Sequence, residues 1–339
     1  MGQKRFKEVD NVKWILTLLI VLYHIPPPDF TGEKQYFVFM AIKNLGDSVV
    51  PAFAILSGFL FWKNVDSMQI IKEKCIRRIS LLLVPYLLWN TIHAFLLNIL
   101  EFDWSQGNYL ALFEINLWTD VIEWTSSPHF WYIFMLMFWT ILSPVLFFVY
   151  TKRFGIVVLF AVSSTYIIYM GDGILNSRFI YIIYLWSGFL GVCKPRLLEC
   201  IIQWPKKRKI CLSVFSIVVY GVVYLFYFQV KPSMGLQVWL CGIRAVALLL
   251  VCLNLPLMKI GNITGYKYSF WLFAVHYHMD GYVSRIVFGR GFSPLIGQLI
   301  VWIFVVCLGV LTGMIVFKFL PKAFSVLVGS RSINKVKYE

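Results

Sequence analysis

His24 carries the clearest chemical signal in this chain. It follows the apolar run Trp14-Ile-Leu-Thr-Leu-Leu-Ile-Val-Leu-Tyr23, which begins just after Lys13. Pro26, Pro27 and Pro28 follow it. An ionisable imidazole is costly on an apolar helix of membrane type, which marks it as a functional residue by default. A helix rises about 1.5 Å per residue, so His24 lies roughly 16 Å deeper than Lys13. A cation at the mouth and a titratable group far inside suit a long anionic molecule entering from one face. The imidazole can take a proton from a hydroxyl or act as a nucleophile.

Other residues could share that site. His276 lies nine residues past Lys267, at a depth of roughly 14 Å, so the two histidines can line one cavity or hydrogen-bond neighbouring helices. Asp280 lies one helical turn after His276, on the same face. It can orient an imidazole or pair with Arg244, a cation in the middle of an apolar run. His129 and His278 lie near run ends and read as interfacial. Lys72, Lys74, Arg77 and Arg78 place four cations within seven residues. They read either as topological charge against anionic lipid heads or as a phosphate clamp. Ser57-Gly58 reads as a close helix approach. The chain contains no G-x-S-x-G elbow, H-E-x-x-H zinc motif or Walker loop, and the cysteine and histidine spacings imply no metal site. Its seven cysteines form no C-x-x-C pair and read as reduced thiols.

The elements that must position these residues are membrane helices. The 339 residues are 60% hydrophobic and only 14% charged, with mean hydropathy +0.75. Soluble domains carry about a quarter charged residues, so the apolar surplus must face lipid. A span needs about 20 apolar residues. Ten such runs lie near 11–27, 44–62, 77–100, 129–150, 154–171, 178–193, 210–230, 236–258, 267–288 and 294–319. The fold expected is therefore an all-α integral membrane protein of about ten transmembrane helices, one polytopic domain over 1–339. The first run has no cleavage pattern after it and reads as a retained span.

Charge sets the orientation. Lys4, Arg5, Lys7 and Lys13 precede the first run. Lys63 to Arg78 lie before the third, Lys152 and Arg153 after the fourth, and Lys194 to Lys209 after the sixth. Lys259 and Lys267 follow the eighth, and Lys318 to Lys337 lie at the end. These alternate segments hold 24 of the 31 Lys and Arg, whereas 101–128 has none and is acidic. The positive-inside rule then places both termini in the cytoplasm. It also explains the net charge of +15 without nucleic acid. Trp62, Trp89, Trp104, Trp118, Trp124 and Trp131 read mainly as interfacial belts, with Trp118 and Trp124 as possible sugar platforms. No feature specifies an oligomeric state.

Six elements in this order resemble the membrane acyltransferase-3 family. Asp10-Asn-Val-Lys13, ten residues and then His24 is similar to the family's basic-residue-x10-His signature, with Lys for the usual Arg. The phrase from Val50 to Ser57-Gly58-Phe59 resembles its second-span ending. Lys74-Cys-Ile-Arg77-Arg78 with Pro85-Tyr86 is similar to its R-x-x-R element, again with Lys first. His129-Phe-Trp131-Tyr132 through Leu142-Ser-Pro144 resembles its fourth span. Tyr268-Ser-Phe-Trp-Leu-Phe-Ala-Val-His276 resembles its Tyr-Ser-Phe…His phrase. Leu327-Val-Gly329-Ser-Arg331 is similar to its closing Leu-x-Gly-x-Arg.

The resemblance implies an O-acyltransferase of the cell membrane. Its donor is acyl-CoA, most often acetyl-CoA, from the cytoplasm. The acceptor is a hydroxyl on a cell-envelope glycan or a lipid-linked precursor. His24 is then the catalytic residue, as general base or as carrier of the acyl group. Lys13, Lys74, Arg77 and Arg78 hold the CoA phosphates, and Asp10, Ser57, Trp131, Tyr132, Arg244, His276 and Asp280 line the site. Two rival readings remain at this level. A transporter or flippase for an envelope precursor suits ten spans and buried charge, although no internal repeat of the kind common in transporters is visible. A bare scaffold has no use for a buried His24 and Arg244.

Overall fold

A computed structural model describes residues 6–27, 33–101, 114–123, 127–152, 154–169, 180–230, 234–256, 259–260 and 263–329. Lys4, Arg5, Pro28, Trp104, Trp124, Arg153, Arg331, Lys335 and Lys337, and with them most of the segment 101–128, lie outside the described residues.

The described residues form almost nothing but helices. Ten of them match the ten apolar runs: α1 (Lys7–His24), α3 (Val49–Trp62), α4 (Met68–Glu101), α5 (Trp131–Thr151), α6 (Gly155–Tyr169), α7 (Ile180–Cys193), α9 (Lys206–Val230), α10 (Met234–Asn254), α11 (Ser269–Gly289) and α12 (Pro294–Phe319). Three shorter helices were not read from the sequence: α2 (Glu33–Asn44), α8 (Leu197–Gln203) and α13 (Pro321–Leu327). A two-residue antiparallel ladder pairs β1 (Lys259–Ile260) with β2 (Ile263–Thr264). It is the one departure from the all-α expectation among the described residues.

Among the described residues, four helices are long and apolar enough to cross a membrane by length and composition: Met68–Leu100, Pro128–Thr151, Lys206–Tyr227 and Pro294–Phe319. The outward faces of α9 and α12 expose Val214, Phe215, Val218, Val222, Leu299 and Phe304. Contiguous apolar surface of this kind needs lipid to cover it. Shorter apolar helices include 180–193 and 239–254. The helices α1 and α11 carry more ionisable residues, and both are lined with buried positions. A helix enclosed by other helices need not be apolar all round when its polar groups find protein partners.

α1 holds the centre. Val9 to Leu18 are buried almost without interruption, because α3, α10, α11 and α12 all pack against it. The most extensive helix pairing is between α3 and α7. There a Cβ on Gly58 would meet the Tyr184 carbonyl oxygen at 2.8 Å and crowd the Ser187 hydroxyl. The expected close approach at Ser57-Gly58 is therefore real. Trp62 and Trp89 depart from the interfacial reading. Trp62 is buried against Tyr150, with ring centroids 4.6 Å apart. Trp89 is buried against Trp271, at 5.1 Å, and donates its Nε1–H to the Leu327 carbonyl. Apolar bulk won over the preference of indole for a membrane interface.

Candidate active site

His24 is the last residue of α1. Proline has no N–H to continue the ladder, so Pro26 and Pro27 stop the helix just beyond it. The imidazole is held by two contacts. Its Nδ1 lies 2.9 Å from the Ile20 carbonyl oxygen, one turn back. A carbonyl only accepts, so this nitrogen carries the proton. His276 Nε2 lies 3.4 Å from the same atom. His276 Nδ1 in turn donates to the Phe273 carbonyl at 2.7 Å, which leaves His276 Nε2 as an acceptor. The network thus assigns one tautomer to each ring. It leaves His24 Nε2 with an unshared electron pair, which is what a base or nucleophile requires.

His24 lines a cavity of about 310 Å³. Trp131, Tyr132 and Arg244, all expected near the site, share its wall. Tyr132 donates or accepts a hydrogen bond with Ser57 at 3.1 Å, which places Ser57 just behind that wall. His276 is fully buried beside His24, with ring centroids 5.0 Å apart. Two helix ends, one turn and one helix middle therefore converge: the C-terminal end of α1, the N-terminal end of α5, the turn before α3, and the middle of α10.

All five histidines join one cluster. His276 packs on His129 at 5.1 Å between centroids, His129 on His93 at 5.9 Å, and His93 on His278 at 4.6 Å. His129 and His93 are buried, so the interfacial reading of His129 gives way to a place in the site. His129 Nε2–H donates to the Ala274 carbonyl at 3.2 Å, and its buried Nδ1 has no hydrogen-bond partner. His93 Nδ1 contacts the Ser127 hydroxyl. Sequence gave one hint of this gathering, in that no histidine fell in a cationic loop. Among the described residues, no group of three His, Cys, Asp or Glu side chains has the geometry to hold a metal ion.

The expected pairing of Asp280 with Arg244 is not what the fold produces. Arg244 is buried and lies 5.0 Å above the Tyr227 ring, within electrostatic reach of Asp47. Asp280 is fully buried, with both carboxylate oxygens lacking a hydrogen-bond partner, and its charged neighbour is Lys43. The reason is geometric. α2 inserts Lys43 beside α11, while α10 points Arg244 into the cavity. Burial pulls the Lys43 ammonium below the usual lysine range, and the Asp47 and Asp280 carboxylates oppose it. Sequence reasoning missed Lys43, Asp47 and Tyr23. The available signal was Lys43 itself, a cation between the first and second spans, on the side that the other loops leave poor in cations.

The basic residues divide into two groups. Lys74 donates to the Phe61 and Lys63 carbonyls at 2.7 and 2.6 Å, satisfying the open C-terminal end of α3. Arg78 reaches the Tyr184 hydroxyl at 3.3 Å and the Ser57 carbonyl at 3.5 Å. These two brace the α3, α4 and α7 packing. Arg77 is exposed. Lys13 is 44% exposed and pairs with the buried Asp10 at 3.7 Å. Through Arg78, Ser57 and Tyr132 the cationic end of α4 is linked by direct contacts to the cavity wall.

A family model described as an acyltransferase domain matches residues 6–318. No curated protein and no solved structure matches this chain. The match begins before Lys13 and His24, and it includes Ser57, the basic end of α4, the Trp131-Tyr132 wall and His276, which are the residues that the fold gathers around or links to one cavity. The chain belongs to the acyltransferase-3 family of membrane acyltransferases.

Proposed function

We propose that this protein is a multi-pass O-acyltransferase of the cell membrane, with ten spans and both termini in the cytoplasm. It moves an acetyl group from cytoplasmic acetyl-CoA to a hydroxyl of a cell-envelope carbohydrate or its lipid-linked precursor. One observation carries the reading. His24 lines the cavity, and its Nδ1–H is committed to Ile20, so Nε2 is the basic nitrogen.

The acceptor oxygen attacks the thioester carbonyl carbon while His24 Nε2 takes the hydroxyl proton. The carbon–sulfur bond then breaks, and the imidazolium returns the proton to the leaving thiolate. Ester and free CoA thiol result, with no net proton released. In the variant mechanism His24 Nε2 attacks the thioester and the CoA thiolate leaves; the acceptor hydroxyl then attacks the acyl-imidazolium, its proton passes to the thiolate, and Nε2 is freed. Of the four cations expected at the CoA phosphates, the exposed Arg77 and the half-exposed Lys13 are the ones to meet them, since Lys74 and Arg78 already serve carbonyl and hydroxyl partners.

The test is thiol release from acetyl-CoA in purified membranes, with mass spectrometry of the envelope glycans for the added acetyl mass. His24→Ala is expected to abolish both while the protein still inserts and folds. Transfer that survives this substitution would overturn the assignment.

A further inference from the structure

One cluster in the cavity is not used by the chemistry above. Arg244 and Asp47 line the same cavity as His24. Arg244 is 2% exposed, and its Nε and Nη1 have no hydrogen-bond partner. A guanidinium carries five donors and no acceptor, and buried donors left unmet are costly. The Tyr227 ring lies under the guanidinium carbon, 5.0 Å from its centroid, a cation–π contact that uses none of the fork's donors. Asp47 accepts from the Tyr23 hydroxyl, and a carboxylate has capacity for further donors. The two charges act on each other electrostatically, yet among the described residues no ion pair joins them within 4.0 Å.

Resting on the acyl-transfer reading, we propose that Arg244 and Asp47 form the acceptor subsite, and that it selects a neutral, hydroxyl-rich ring. A hydroxyl both accepts and donates, so adjacent hydroxyls can satisfy a guanidinium and a carboxylate together. An anionic ring gains from Arg244 but meets Asp47 in the same small space. A purely cationic ligand meets the reverse conflict. The cavity, at about 310 Å³, stands at the low end of small-molecule sites, which run from roughly 300 to 1,000 Å³. It takes one ring rather than several. Trp131 supplies an aromatic face on the same wall for the apolar side of that ring.

The experiment uses the full chain in a detergent without a sugar headgroup, followed by thermal unfolding. The probes are methyl α-D-glucopyranoside and methyl β-D-galactopyranoside as neutral rings, sodium D-glucuronate as the anionic ring, and CoA as a separate arm. At least one neutral glycoside is expected to raise Tm saturably. Arg244→Gln and Asp47→Asn are each expected to weaken that half-saturation roughly tenfold or more, the loss of a hydrogen bond to a charged group, without changing the response to CoA. Arg244→Lys, which keeps the charge and loses the fork, serves if the glutamine variant does not fold.

The proposal is overturned if no neutral glycoside gives a saturable shift. It is equally overturned if both variants keep the wild-type response, or if glucuronate binds best and Asp47→Asn tightens it, which is the behaviour of an anion site. A wild-type protein that responds to a neutral glycoside but not to CoA would support this subsite and count against the donor in the acyl-transfer reading.

Discussion

His276 Nε2 stands 3.4 Å from His24 Nδ1, the atom whose proton also points at the Ile20 carbonyl. The buried imidazole thus acts on the opposite nitrogen of His24 from the one left basic. It favours the tautomer with a proton on Nδ1 and limits rotation of the ring. His276→Phe keeps much of the ring volume and removes the acceptor. A displaced reacting group can cost on the order of 100-fold. The turnover number is therefore expected to fall roughly 10- to 100-fold, while the acetyl-CoA KM stays unchanged and His276→Gln recovers part of the loss. Steady-state kinetics of acetyl transfer check this. Equal turnover in all three proteins would reduce His276 to packing.

The two adjacent arginines of α4 are expected to separate cleanly. Arg78 joins Ser57 and Tyr184 across three helices, so Arg78→Ala should destabilise the fold by about 1–3 kcal/mol. Arg77 is exposed, so Arg77→Ala should leave the unfolding midpoint in place and raise the acetyl-CoA KM. Thermal unfolding paired with donor titration reads both. An unchanged donor requirement in Arg77→Ala would make that residue topological.

Gly58 is expected to tolerate no side chain. An added Cβ would stand 2.8 Å from the Tyr184 carbonyl, and backbone yields less readily than a side chain. Overpacking of this kind typically costs about 1–3 kcal/mol. Gly58→Ala should lower Tm, and activity should fall with it, because Ser57 and Tyr132 sit beside the same contact. A variant as stable as the parent would mean that α3 and α7 separate without cost.

The C-terminal turn offers a fourth test. Gly329 has φ +67°, and a Cβ there would meet Pro85 at 3.3 Å and crowd the Leu81 carbonyl. Gly329→Ala combines strain at a left-handed residue with a clash against α4. It should release α13 from α4, seen as increased proteolysis after Phe319. Unchanged protection would show that the Trp89–Leu327 hydrogen bond holds α13 without the glycine.

Hydropathy made the ten apolar helices legible because an apolar segment away from water must satisfy its own backbone whatever its neighbours are. It could not reveal α2, whose sequence from Glu33 to Asn44 mixes charged, polar and apolar residues. That helix delivers Lys43. His24 and Arg244 were readable as chemistry, Trp131 and Tyr132 only through the family resemblance, and the four meet at one cavity. His129 was readable only as a residue near a run end, and nothing in the spacing singled out His93. Which helix end lies against which depends on packing between segments far apart in the chain, and spacing along one helix does not encode it. The same gap produced the Asp280–Arg244 pairing. Both residues were placed correctly on their own helices, and the partners came from elsewhere.

The length of α4 has a consequence of its own. Its 34 residues extend about 51 Å at 1.5 Å per residue, against a hydrocarbon core of about 30 Å. The apolar portion after Arg78 accounts for the core thickness, and the first eleven residues are surplus. Lys72 and Arg77, both exposed, therefore ride on the helix itself rather than on a tether. Their spacing and bearing are already fixed when the protein folds. Any polyanion that engages them meets a ruler of set length, so the ordering entropy that a flexible cationic loop would lose on binding has been surrendered beforehand.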